Sequence, residues 1–215
     1  MKKPAFTMLE LVFVIVAIGI LSAVFIPRFG QNKLSEAANQ LISHIRYTQH
    51  LALMDDKFDA TDGSWYKKRW QIVFSTADAN ANNQPSYSIF SDKDADGTID
   101  ANELALNPID KTKYLTGGVA GFNITNMSTF LGTKELNLGT KYKIATLTLS
   151  ASCSNDGTTI AFDHLGRPLK GPLVGYGSPY PTNDLISVPC DIKMTSSYGT
   201  ATIRIEPETG YVHLQ

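Results

Sequence analysis

The chain has no excess of either charge sign: 19 lysines and arginines stand against 20 aspartates and glutamates in 215 residues. That balance leaves no electrostatic footprint for nucleic acid, and no nucleic-acid partner is expected. Cysteine is scarce. Cys153 and Cys190 are the only two; there is no C-x-x-C and no histidine beside either, which argues against zinc. The pair can form a disulfide, closing a long loop worth roughly 4 kcal/mol in the chain-entropy view, or remain two separate buried thiols. The histidines are few and dispersed. His44, His50, His164 and His213 fall in no metal-ligand spacing, and H-E-x-x-H and G-x-S-x-G are both missing. Asp163 and His164 are adjacent, so on a strand they would face opposite sides. Nothing nominates a nucleophile or a carboxylate pair, and the chain is read as not an enzyme.

What the chain has instead is one long apolar run, Phe6 to Ile26 (FTMLELVFVIVAIGILSAVFI), whose one ionisable side chain is Glu10. At the helical rise it measures about 30 Å, the thickness of a bilayer core. Residues 1–5, MKKPA, form a short leader, and Lys2 and Lys3 favour a cytoplasmic N-terminus. A secretory signal has a shorter apolar core followed by a small-residue cleavage site. Here the small-residue junction, Ala5-Phe6, precedes the run, so cutting there keeps the run on the mature chain. A carboxylate at the centre of a membrane helix costs about 2.5–3.5 kcal/mol and calls for a partner or a functional role. The bland alternative is a glutamate that snorkels to the headgroups.

These residues resemble the type IV prepilin signature, through Phe6, Thr7, Leu9 and Glu10, then Gly19 and Pro27. The family usually has Gly before the cut, where this chain has Ala5. The resemblance implies cleavage between Ala5 and Phe6 by a prepilin peptidase and N-methylation of Phe6. It also implies pairing of that amine with Glu10 of a neighbouring subunit during filament assembly. Two C-terminal stretches, TIAFDHLGRPLKG and ATIRIEPETGYVHL, resemble the H-type minor pseudopilins and FimT-like minor pilins.

Beyond the apolar run, Pro27 and Gly30 suggest a kink or local loosening. Leu34, Ala38, Leu41, Ile45, Thr48 and Ala52 then follow spacings of four and three, widened by Ile42 and Leu51. This predicts an amphipathic helix to about Met54, with a face for a sheet or, as an alternative, a coiled-coil partner. Afterwards the period changes to two. Strands are expected at Trp70 to Phe74, Tyr87 to Phe90, Tyr142 to Leu149, Thr159 to Asp163, Thr200 to Ile205 and Tyr211 to Leu214. The Gly- and Pro-rich stretch Gly166 to Pro181 reads as a loop whose apolar residues either meet other subunits or fold back over the sheet. The expected fold class is α+β, a long N-terminal helix, half membrane and half amphipathic, packed on an antiparallel β-sheet domain as in pilins. The expected division is leader 1–5, transmembrane helix 6–26, amphipathic extension 27–55 and a periplasmic β-rich domain 56–215.

A second motif lies at 92–103, DKDADGTIDANE. Asp92, Asp94, Asp96, Thr98, Asp100 and Glu103 occupy the ligand positions of a twelve-residue calcium loop, with Gly97 at its sharp turn. Calcium wants six to eight oxygens: the aspartates supply them from alternate residues, Thr98 through its carbonyl and Glu103 through two. The flanks read as strand and short turn rather than two helices, so a structural Ca²⁺ site is expected, with an acidic surface turn as the bland alternative. Together these readings predict a minor pseudopilin, a structural subunit of a type II secretion pseudopilus driving protein export. The runner-up is a minor pilin of a type IV pilus or DNA-uptake filament, and a membrane-tethered, calcium-stabilised periplasmic enzyme is the rival class. Expected partners are other pseudopilins or pilins through helix packing, the prepilin peptidase, an inner-membrane assembly platform and membrane lipid. The expected location is the inner membrane, single-pass, with the C-terminal domain in the periplasm.

Overall fold

The computed structural model describes residues 7–119, 121–125, 129–153, 155 and 157–215, with backbone alone at 23–32. Helix α1 spans Met8–Met54. Thr7 caps it, its hydroxyl accepting the Glu10 N–H at 3.3 Å, and Asp55 ends it by leaving helical backbone angles. The kink expected at Pro27 and Gly30 falls where only the backbone is described, and there the helix is assigned without a break. From Leu34 onward one stripe is buried: Leu34, Ala37, Ala38, Leu41, Ile42, Ile45, Thr48 and Ala52. Those spacings of three and four bring one helix face against a common surface. Thr48 sits in that stripe without penalty because its hydroxyl donates to the His44 carbonyl at 2.9 Å.

The strands form two sheets. The first, in the order β2-β1-β4-β5, holds β1 (Trp70–Ser75), β2 (Ser86–Ser91), β4 (Thr159–Phe162) and β5 (Pro168–Lys170). The second, in the order β3-β6-β7-β8, holds β3 (Ile144–Leu149), β6 (Cys190–Ser196), β7 (Gly199–Ile205) and β8 (Val212–Leu214). All pairings are antiparallel. Helix α1 touches β1 and β4 of the first sheet and β7 and β8 of the second, so one core lies beneath it. The chain passes from β3 to β4, between sheets, through the turn that carries Cys153. That residue is disulfide-bonded to Cys190 at the start of β6, with Cα atoms 4.8 Å apart.

The expected plan, a half-membrane helix packed on one antiparallel β-sheet domain as in pilins, is corrected. The β region is two four-stranded sheets, and among the described side chains of α1 the ones buried against them lie between Leu34 and Ala52. Earlier in the helix, residues 8–22 stand clear of both sheets with exposed side chains. The expected single-pass inner-membrane location is corrected as well: among the described residues no helix is long and apolar enough to cross a membrane.

Local assignments change too. Tyr142 does not open a strand but closes a short helix, α2 (Leu138–Tyr142). Asn137 caps it by accepting the Thr140 N–H at 2.9 Å, and Lys143 ends it at φ 61°. Strand β6 was not anticipated; it alternates buried Cys190, Ile192 and Met194 with more exposed residues. Within the Gly- and Pro-rich stretch β5 forms, and Leu169, Leu173 and Tyr176 fold back onto Tyr66 and Ala161.

Candidate functional site

The acidic loop leaves β2 at Ser91 and is tied back to it by the Ser91 N–H on the Glu103 carbonyl, 3.0 Å. Its first carboxylate, Asp92, is buried and accepts the N–H groups of Asp96 (3.2 Å) and Gly97 (2.9 Å). Asp94 and Asp96 are exposed, and Asp96 accepts both the N–H and the hydroxyl of Thr98 at 2.7 Å. One oxygen from each of Asp92, Asp94 and Asp96 lies within 4.8 Å of the others, so alternate residues do converge as the spacing predicted. Glu103 is buried at the far end. Its two carboxylate oxygens accept the N–H groups of Lys93 and Asp100, which closes the loop on itself. Asp100 and Glu103 lie on the same loop but outside the converging trio.

The loop's charge balance is unfavourable as it stands. Burial raises the Asp92 carboxyl to about 6, the Gly97 N–H opposes that rise and the nearby Glu103 adds to it. Lys93, the basic residue within the loop, spends its ammonium on the Asn102 carbonyl. The donor set is all oxygen, the chemistry a hard divalent cation selects. The loop is also held from outside. A side chain at Gly97, where φ is +84°, would come within 2.9 Å of Val174, which packs against the turn.

At the other end of the molecule, α1 presents Met8, Leu9, Leu11, Val12, Phe13, Val14, Ile15, Val16, Ile18, Ile20 and Leu21, all exposed. They are consecutive enough to cover every side of the helix. Glu10 is the ionisable side chain among them. Part of its motif has a local explanation that sequence reasoning missed: T-x-x-E is also the capping-box pattern, and Thr7 does cap the helix through the Glu10 N–H. Ala5 and Phe6, the expected cleavage and methylation positions, lie outside the described residues.

The remaining candidates resolve into structural roles. His44 lies beneath the helix with Nδ1 2.7 Å from the Tyr87 hydroxyl, and burial lowers its pKa to about 4. Asp163 is fully buried in the turn after β4, where it accepts the Leu165 and Arg167 N–H groups and a 2.7 Å ion pair from Arg167. Asp163 and His164 do not act together: the His164 ring faces Tyr180 instead. Arg69 is sandwiched between the Trp65 and Tyr180 rings and donates to the Pro179 carbonyl, which pins the Gly- and Pro-rich loop. Gln49 was also missed, because a lone glutamine carries no sequence signal. Its amide donates to the carbonyls of Gly166 (2.7 Å) and Thr209 (2.9 Å), joining the helix to one turn from each sheet.

Comparison with known proteins adds no assignment: no protein-family model, curated protein or solved structure matches the chain.

Proposed function

We propose that the chain is a structural subunit of a helix-cored filament, a minor pseudopilin of a type II secretion pseudopilus. The carrying observation is the apolar surface along residues 8–21 of α1, which the chain's own domain leaves uncovered. A patch of that size on every side of a helix calls for a cover. In a filament the cover is the same segment of neighbouring subunits, while the disulfide-bonded β region faces outward. In this reading the precursor is cut between Ala5 and Phe6, Phe6 is N-methylated, and its amine pairs with Glu10 of an adjacent subunit. The pairing offsets the cost of desolvating the carboxylate.

Calcium at the 92–103 loop is the second part of the proposal. Asp92, Asp94 and Asp96 form its centre, with Thr98, Asp100 and Glu103 completing the oxygen shell. Bound calcium would neutralise the crowded carboxylates and stiffen the loop against Val174. Added at millimolar concentration it raises the melting temperature of the chain, and Asp94→Ala with Glu103→Ala abolishes the rise. No shift in the unmutated chain removes calcium from the proposal.

The filament reading is tested by deleting the gene and complementing with the wild-type chain or Glu10→Ala. Loss of secreted proteins with surface fibres intact, unrescued by Glu10→Ala, is the expected result. Loss of fibres, twitching or DNA uptake with secretion intact makes the chain a minor pilin instead. No change in either, with turnover of some substrate indifferent to Glu10, moves it to the enzyme class.

A further inference from the structure

We propose that residues 55–58, directly after α1, form a strap that closes when Asp56 swings inward and pairs with the buried guanidinium of Arg69. Arg69 is 3 % exposed, and its Nη1 donates to the Pro179 carbonyl at 2.8 Å. Its other terminal nitrogen, Nη2, is the one buried side-chain polar atom among the described residues without a hydrogen-bond partner. Among those residues Arg69 makes no ion pair either. A buried cation without a counter-charge is costly, and burial lowers the Arg69 pKa from its usual value.

Arg69 also lines a narrow niche together with Asp55, Asp56, Lys57 and Trp70. The niche leaves no room for a water molecule, so neither solvent nor a free ion supplies the missing partner while its walls stand as they do. The nearby carboxylates differ in what they already hold. Asp163 is taken by Arg167. Asp55 is taken by the Lys57 ammonium and by the Trp70 indole N–H at 2.9 Å. Asp56 is exposed, accepts the Phe58 N–H at 3.1 Å and makes no ion pair among the described residues. One uncompensated cation and one uncompensated carboxylate therefore line the same niche. A turn of the Asp56 side chain, with a small inward shift of its exposed segment, joins them. Because Arg69 also holds Pro179 and stacks on Tyr180, closure ties the end of α1 to the outer arm of the Gly- and Pro-rich loop. The strap involves neither the acidic loop nor residues 8–21, so its failure leaves the filament and calcium readings untouched.

The test is a double-mutant cycle in denaturant unfolding of the full chain, with Asp56→Asn, Arg69→Gln and the two combined. Asp56→Asn is expected to lower the folding equilibrium constant about tenfold alone, but by no more than about twofold beside Arg69→Gln. Amide exchange at Tyr180 keeps the test sound if Arg69→Gln does not fold. Asp56→Asn is expected to speed that exchange about tenfold. Asp59→Asn, which changes an exposed carboxylate that does not line the niche, leaves it unchanged. Equal losses from Asp56→Asn in both backgrounds overturn the proposal, and so does Tyr180 exchange indifferent to Asp56→Asn. Saturable slowing of Tyr180 exchange by added acetate also overturns it, since the guanidinium would then be open to a carboxylate from outside the chain.

Discussion

The two ends of α1 differ in what surrounds them, and the difference is written in their patterning. Along 34–52 apolar residues recur at three and four, so one face meets the two sheets while Glu36, Asn39 and Gln49 stay off the buried stripe. Along 8–21 nearly every residue is apolar, no face is distinguished, and the side chains remain exposed. An amphipathic stripe specifies a neighbour on one side, which the chain's own domain can provide. An apolar cylinder needs neighbours all round, and a single domain folded at one end of a helix cannot surround the other end.

The sharpest way to break this comparison is a matched pair of truncations. Leu41→Ala, at a fully buried position under the helix, is expected to cost about 2–5 kcal/mol of stability in denaturant unfolding. Ile15→Ala removes a comparable side chain from the exposed end and is expected to stay within about 0.5 kcal/mol in the isolated chain. Equal losses would mean that the apolar end is already packed within the monomer.

Acid should act on the packed end next. His44 is neutral in the fold, its pKa lowered by burial from 6.5 to about 4, with Glu135 pulling weakly the other way. A depressed histidine pKa means that the unfolded chain binds the proton first. The stability it confers is complete above pH 6.5, falls as pH drops toward 4, and is lost by about 3 kcal/mol below that. Unfolding curves across this window should flatten in His44→Gln. A wild-type stability independent of pH from 6.5 to 4 would place His44 in water rather than against Tyr87.

A smaller effect is expected at the joint between helix and turns. Gln49→Ala removes two hydrogen bonds and leaves the Gly166 and Thr209 carbonyls without that donor. A loss of about 1–2 kcal/mol is expected, with faster amide exchange confined to the turns at 163–167 and 206–210. Unchanged exchange in both turns would show that Gln49 does not join the sheets through the helix.

Several features were legible without coordinates because their causes are local. The stripe from Leu34 to Ala52 follows helical spacing, the strands at Trp70, Ser86 and Thr159 follow from β-rich runs bounded by turns, and the convergence of Asp92, Asp94 and Asp96 follows from alternate residues around Gly97. The capping role of Thr7 was equally local but was overshadowed by the longer motif around it. Strand β6 was legible by the same rule, since Cys190, Ile192 and Met194 alternate with Asp191, Lys193 and Thr195, although it is not among the strands expected from the sequence.

By itself the sequence determined where the helix changes from an apolar cylinder to an amphipathic face, where the acidic oxygens gather, and which two cysteines exist to be joined. Only the tertiary structure decided that the strands divide into two sheets, since the crossover after β3 depends on which edge accepts β4. It alone placed Cys153 beside Cys190, His44 beneath Tyr87 and Gln49 between two turns. Those relations join residues far apart in the chain, and local patterning carries no information on which distant surface each one meets.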